Sequence, residues 1–114
     1  MNDLFEEFSS IIVSFTIVNE GVPGIKEVKR CQITFIDSSR LTVYESVQPT
    51  KFKYSYHWQT ANGDLIARWD NTPHYPALAT YPHHKHTGKE TNVEESYEQT
   101  LHDVLNFIKQ QIQI

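Results

Sequence analysis

Four groups of turn-forming residues divide residues 11–70 into pieces that have the length and composition of β-strands. They lie at 19–24, 37–40, 48–50 and 62–63. Between them β-branched and aromatic residues predominate, which predicts five strands at about 11–19, 26–37, 40–48, 51–60 and 64–70. Strands joined by such short connections pair with their sequence neighbours, so we expect an antiparallel meander.

The Asn62-Gly63 pair is the sharpest of these turn signals. Both central residues of a type I′ hairpin need a positive φ, which asparagine and glycine tolerate. The sequence therefore predicts a tight hairpin that brings His57 and Arg68 within reach of each other across two strands.

Alternation along the strands predicts one apolar and one polar face of the sheet. In the fourth strand the two sets are Phe52, Tyr54, Tyr56 and Trp58 on one side and Lys51, Lys53, Ser55 and His57 on the other. In the fifth strand Arg68 and Asp70 lie opposite Trp69. We expect the apolar face to be covered, with Trp58 and Trp69 in the core.

Helical patterns occur near both ends of the chain. Residues 2–9 predict a short amphipathic helix, whereas residues 71–89, rich in proline, predict a long ordered loop without regular structure. Asn92 and Glu95 have the spacing of a capping box, and apolar residues then recur at helical spacing. These are Tyr97, Leu101, Val104, Leu105, Ile108 and Ile112. The predicted fold is a single α+β domain over residues 1–114, a meander of about five strands packed against a C-terminal helix.

Composition and charge exclude several classes of protein. The formal net charge of −4 argues against a general polyanion-binding surface. Cys31 is the only cysteine, which excludes an intramolecular disulfide and favours a reducing compartment. The first residues are acidic where a secretory signal is basic, and no apolar run approaches the length of a membrane span. We expect a cytoplasmic protein that does not enter a membrane.

Five of the six histidines lie between residues 57 and 86. An imidazole can act as a base, an acid or a metal ligand, so this clustering predicts either proton transfer or metal binding. In an extended segment His84 and His86 point to one side and His83 to the other. Their spacing matches no standard zinc signature, so we predict no metal and no other cofactor. A metal held with help from His57, His74 or Asp70 stays open as an alternative.

The same residues predict phosphodiester chemistry on RNA. RNA supplies its own nucleophile, the 2′-hydroxyl, so a metal-independent ribonuclease needs a base, an acid and a cation. The predicted catalytic residues are His57, Arg68, Asp70, His83, His84, Lys85 and His86, and the predicted substrate-binding residues are Lys51, Lys53 and His74. In this scheme His84 or His86 moves protons opposite His57, Arg68 and Lys85 stabilise the charge on phosphorus, and Asp70 orients its neighbours.

Five of these residues also have a simpler structural interpretation. His57 fits a half-buried sheet position, and Arg68 with Asp70 fits a structural ion pair. Lys51 and Lys53 fit residues that protect a sheet edge. The Pro82–His86 segment is the stretch for which a purely structural role fits least well, because it is polar and predicted to lie in a loop.

Several blocks of the sequence resemble the TumE-like toxin family of prokaryotic toxin-antitoxin systems. They are Tyr54-Ser-Tyr-His-Trp58, Arg68-Trp69-Asp70-Asn71 and Pro82-His83-His84-Lys85-His86, of which the last two are the most specific. The resemblance covers most of the chain and is weak before about residue 40. It implies a growth-inhibiting toxin that is neutralised by a helix-turn-helix antitoxin.

The resemblance and the side-chain chemistry together favour a metal-independent endoribonuclease-like toxin. Two alternatives stay open, a macromolecule-binding protein without turnover and a histidine-ligated metallohydrolase. The expected partners are the antitoxin and RNA as substrate, and a homodimer stays open as a further assembly.

Overall fold

The computed structural model describes residues 2–112 and contains one sheet and two helices. Helices α1 and α2 cover Asn2–Glu7 and Leu101–Ile112. Strands β1 to β7 cover Ile12–Val22, Lys26–Phe35, Arg40–Gln48, Lys51–Gln59, Leu65–Asp70, His84–Thr87 and Val93–Glu95. Each strand pairs antiparallel with its sequence neighbour, in the order β1 to β7. The predicted α+β meander is confirmed, but five strands is too low a number, since the described residues form seven.

The two additional strands lie in segments predicted to be a loop and a helix start. The sequence of β6 is His-Lys-His-Thr, and its two buried positions are imidazoles, so no apolar alternation reveals it. The predicted cap at Asn92 and Glu95 is wrong, because β7 occupies Val93–Glu95. Helix α2 instead starts after Thr100, whose Oγ1 accepts a hydrogen bond from the Asp103 backbone N–H at 3.1 Å.

The turn between β4 and β5 is not the predicted type I′ hairpin. Gly63 has a φ of 92°, whereas Asn62 does not have a positive φ. The Gly63 N–H donates to the Thr60 carbonyl at 2.9 Å and the Thr60 N–H donates to the Asp64 carbonyl at 2.9 Å, which makes the loop longer. The predicted register is nevertheless confirmed, since His57 lies opposite Arg68.

The core lies on one face of the sheet, beneath both helices. Trp58 and Trp69 are buried there, as predicted, and the Phe107 ring of α2 packs edge-on against Trp69 with ring centroids 5.6 Å apart. The buried residues of α2 are Leu101, Val104, Leu105 and Ile108. Tyr97 precedes the helix and is exposed, so it does not belong to the apolar stripe. Neither helix among residues 2–112 is long and apolar enough to cross a bilayer.

Candidate functional site

Strand β6 distributes the residues of the Pro-His-His-Lys-His block between two faces of the sheet. His84 pairs with Asp70 and His86 pairs with Arg68, which places these side chains on the face away from α2. Lys85 points the other way, and its Nζ lies 5.1 Å from the centroid of the Phe107 ring. The predicted separation of His84 and His86 from His83 is confirmed.

The residues on the face away from α2 form a polar cluster of Arg68, Asp70, His84 and His86. The Asp70 Oδ1 lies 3.0 Å from His84 Nε2, and Asp70 Oδ2 lies 3.8 Å from His86 Nε2. Arg68 Nη2 donates to His86 Nε2 at 3.1 Å and to Glu90 Oε2 at 2.7 Å. Two imidazoles, a guanidinium and a carboxylate therefore meet within a few ångströms on this face.

Backbone carbonyl oxygens lie against the Nδ1 atoms of both imidazoles of the polar cluster. His86 Nδ1 lies 2.7 Å from the Glu90 carbonyl oxygen, and His84 Nδ1 lies 3.1 Å from the Pro82 carbonyl oxygen. A carbonyl oxygen only accepts, so both Nδ1 atoms carry hydrogen and donate. His86 Nε2 is then an acceptor, which agrees with the hydrogen bond that it receives from Arg68.

The inner part of the polar cluster is closed to solvent. His84 is 2% exposed, His86 3% and Asp70 5%. The Tyr75 ring, from the segment between β5 and β6, packs edge-on against His84 with centroids 4.8 Å apart. The Arg68 side chain is 31% exposed, so it forms the part of the cluster that a large ligand can reach.

His57 is the cross-strand partner of Arg68 and lies on the side of the polar cluster where Arg68 is exposed. It is half-buried, and burial lowers the pKa of its imidazole, while Glu90 raises this pKa and Arg68 lowers it further. His57 is therefore neutral near pH 7, with a nitrogen that can take up a proton. Arg68 Nε is buried and has no hydrogen-bond partner among the described residues.

The structure separates the other predicted site residues from the polar cluster. His83 stacks on Tyr54 on the α2 side and shares a 2.7 Å hydrogen bond with its hydroxyl, and burial lowers the pKa of its imidazole. Lys85 forms an ion pair with Glu98 at 2.9 Å. Lys51 and Lys53 are exposed near the start of β4, on the same face as His57. His74 is exposed, next to Tyr75 in the β5–β6 connection.

Two residues of the site were not among the predicted ones. Glu90 contacts both Arg68 and His86, and Tyr75 covers His84. The position of Glu90 follows from the β6–β7 turn, which the sequence does not reveal because β7 has only three residues. Tyr75 lies in the β5–β6 connection, most of which has no regular structure that would predict its position.

Comparison with known proteins places the chain in a family. A family model described as toxin TumE matches residues 1–112. No curated protein and no solved structure gives a significant match. The match spans nearly all of the 114 residues, including the whole polar cluster. The chain therefore belongs to the TumE toxin family, whose members act as the toxin of a toxin-antitoxin system.

Proposed function

We propose that this toxin cleaves RNA, and that Arg68 and His57 are the residues that contact the scissile phosphate. The observation that supports this proposal is the pairing of a partly exposed guanidinium with a neutral imidazole on one sheet face. The two residues are cross-strand partners, so their Cβ atoms lie about 5 Å apart. A phosphodiester group fits across such a pair.

Arg68 is the proposed stabiliser of the negative charge on phosphorus. A guanidinium presents donors in a planar fork that matches two phosphate oxygens. The buried Nε of Arg68 has no partner among the described residues, and a bound oxyanion is the kind of group that satisfies such a donor. Glu90 and His86 hold Nη2 of the same guanidinium, which restricts its orientation.

His57 is the proposed general base. Its neutral imidazole accepts the proton of the 2′-hydroxyl, and the 2′-oxygen then attacks phosphorus. The bond from phosphorus to the 5′-oxygen breaks, and that oxygen takes a proton from water. The products are a 2′,3′-cyclic phosphate and a 5′-hydroxyl end.

His84, His86 and Asp70 act as positioning residues in this proposal. Their burial keeps them from direct contact with a polynucleotide while Tyr75 covers His84. His86 accepts a hydrogen bond from Arg68, and Asp70 contacts His84 on the inner side. Lys85 and His83 lie on the opposite face and take no part in the reaction.

The test is cleavage of an unstructured RNA by the purified toxin, followed by analysis of the new ends. Cyclic phosphate ends, and no cleavage of a DNA of the same sequence, are the expected result. His57→Gln lowers the rate by about 100-fold or more, the usual contribution of a general base. Arg68→Gln lowers it comparably, because an uncharged amide does not stabilise the phosphorane.

Lys85→Gln and His83→Gln are the matched controls, since both residues belong to the same sequence block and lie on the other face. We expect these variants to retain cleavage. Retained activity in His57→Gln and Arg68→Gln, or ends other than cyclic phosphate, contradicts the proposed chemistry. In that case comparing growth arrest with antitoxin pull-down tests the alternative of binding without turnover.

The proposed partner is an antitoxin with a helix-turn-helix fold. Toxins of this kind are neutralised by an antitoxin, and the family match supports such a partner in general. Co-expression with the product of the adjacent reading frame tests the proposal. Restored growth and a stable complex are expected, and an adjacent gene without a helix-turn-helix product contradicts the assignment of the partner's fold.

A further inference from the structure

We infer that Asp70, His84 and His86 form a binding site for one first-row divalent transition metal ion. These three buried residues each offer one ligand atom, and the three atoms lie within 4.8 Å of one another. The inference goes beyond RNA cleavage, because the inner part of the polar cluster would bind the metal ion independently of the substrate. It revises the expectation, drawn from residue spacing alone, that the protein needs no metal.

The orientation of the imidazoles is the first argument. Both Nδ1 atoms donate to backbone carbonyls, at 3.1 Å for His84 and 2.7 Å for His86. Histidines that bind metals in proteins make this second interaction, which fixes the tautomer and directs the Nε2 lone pair at the ion. Both Nε2 atoms here face the carboxylate of Asp70.

The second argument is the short distance between two of the candidate ligand atoms. His84 Nε2 lies 3.0 Å from the carboxylate oxygen Oδ1 of Asp70, and both side chains are buried. The same separation suits two ligands of one ion, because atoms bound at about 2.0–2.2 Å lie about 3.0–3.6 Å apart.

Arg68 is the resident cation that a metal ion has to displace. Its Nη2 lies 3.1 Å from His86 Nε2 and 3.9 Å from Asp70 Oδ2. The same nitrogen also donates to Glu90 Oε2 at 2.7 Å, and the Glu90 side chain is partly exposed. The guanidinium therefore retains a hydrogen-bond acceptor when it moves out of the inner site. Metal binding and the inward position of Arg68 are therefore competing states.

The donor set selects the class of ion. Two imidazole nitrogens and one carboxylate oxygen suit Zn²⁺, Co²⁺, Fe²⁺, Mn²⁺ and Ni²⁺, whereas Ca²⁺ and Mg²⁺ prefer oxygen ligands alone. Three protein ligands leave at least one coordination position for water or for a ligand oxygen. Tyr75 packs over His84, so access to that position depends on this ring.

The experiment is a titration of the wild-type protein, freed of metal with EDTA and then of EDTA, with Co²⁺. We expect one Co²⁺ per chain with a visible absorption spectrum, displaced by Zn²⁺. Asp70→Asn, His84→Gln and His86→Gln weaken binding by at least about tenfold. His83→Gln is the matched control and binds normally, and Arg68→Gln binds as tightly as wild type or more tightly, because the competing cation is gone.

A measurement on the wild-type protein by NMR keeps the inference testable even if the variants do not fold. Zn²⁺ changes the imidazole nitrogen chemical shifts of His84 and His86 and leaves those of His102, on α2, unchanged. The inference is overturned if no Co²⁺ spectrum appears, if binding persists in both His84→Gln and His86→Gln, or if the shifts move at His74 or His83 instead. Because these readouts report binding, their failure and a failure of RNA cleavage are distinguishable.

Discussion

Truncation of Asp70 is the perturbation that most directly tests how much the polar cluster contributes to stability. Asp70 Oδ1 lies 3.0 Å from His84 Nε2 and accepts a hydrogen bond from the Thr72 N–H, also at 3.0 Å. In Asp70→Ala the Thr72 N–H loses its acceptor and Arg68 loses a carboxylate oxygen 3.9 Å away, in a site where the carboxylate itself is only 5% exposed. Removing one partner of a buried pair costs about 3–5 kcal/mol.

The assay is urea unfolding monitored by tryptophan fluorescence, with EDTA present so that no metal contributes. In thermal unfolding of a domain of this length, the same loss lowers Tm by roughly 12–20 °C. Asp64→Ala is the control, because Asp64 is exposed and its hydrogen bonds in the turn run through its backbone, so we expect a change within about 0.5 kcal/mol. If the two variants differ by less than about 1 kcal/mol, the burial argument for the cluster is refuted.

Three further predictions concern the β4–β5 turn, the imidazole of His57 and the hydrogen bond between Trp69 and Glu98. Gly63→Ala destabilises the protein by about 1–2 kcal/mol because Gly63 has a positive φ, whereas Asn62→Ala changes stability little. Equal losses of the two variants in urea unfolding would instead support a type I′ turn. His57 titrates below pH 6.5 by NMR; because its folded pKa lies below the unfolded value, stability falls as pH drops from 6.5 towards the folded pKa, and His57→Gln reduces that fall. Glu98→Ala removes the acceptor of Trp69 Nε1 at 3.1 Å and costs about 1.5–3 kcal/mol, and a loss under 0.5 kcal/mol counts against that contact.

The strands with ordinary apolar alternation could be predicted from the sequence, and so could one contact of the site. The side-chain period of two assigned the faces of β4 and β5, and the length of the connection placed His57 opposite Arg68. That register is correct although the turn type was wrong, because one extra loop residue is compensated by a one-residue irregularity in the pairing between Trp58 and Gln59.

The β6 and β7 strands could not be predicted, because their signals are weak or misleading. Propensity scales treat histidine and lysine as surface residues, yet His84 and His86 take the place of apolar side chains at buried positions. Asn92 and Glu95 have cap spacing by coincidence, and the residue that starts α2 is Thr100. A contact made across a turn of unknown length, such as that between Glu90 and Arg68, cannot be predicted from the sequence.

Because the side chains of β6 alternate between the two faces of the sheet, the length of this segment is as important as its composition. Deleting or inserting a single residue just before His84 would exchange the two sets of side chains, driving Lys85 towards Asp70 and the imidazoles towards Phe107. A change of two residues preserves the alternation and alters only the connection. Tolerance of length variation around Pro82 should therefore depend on whether the change is odd or even.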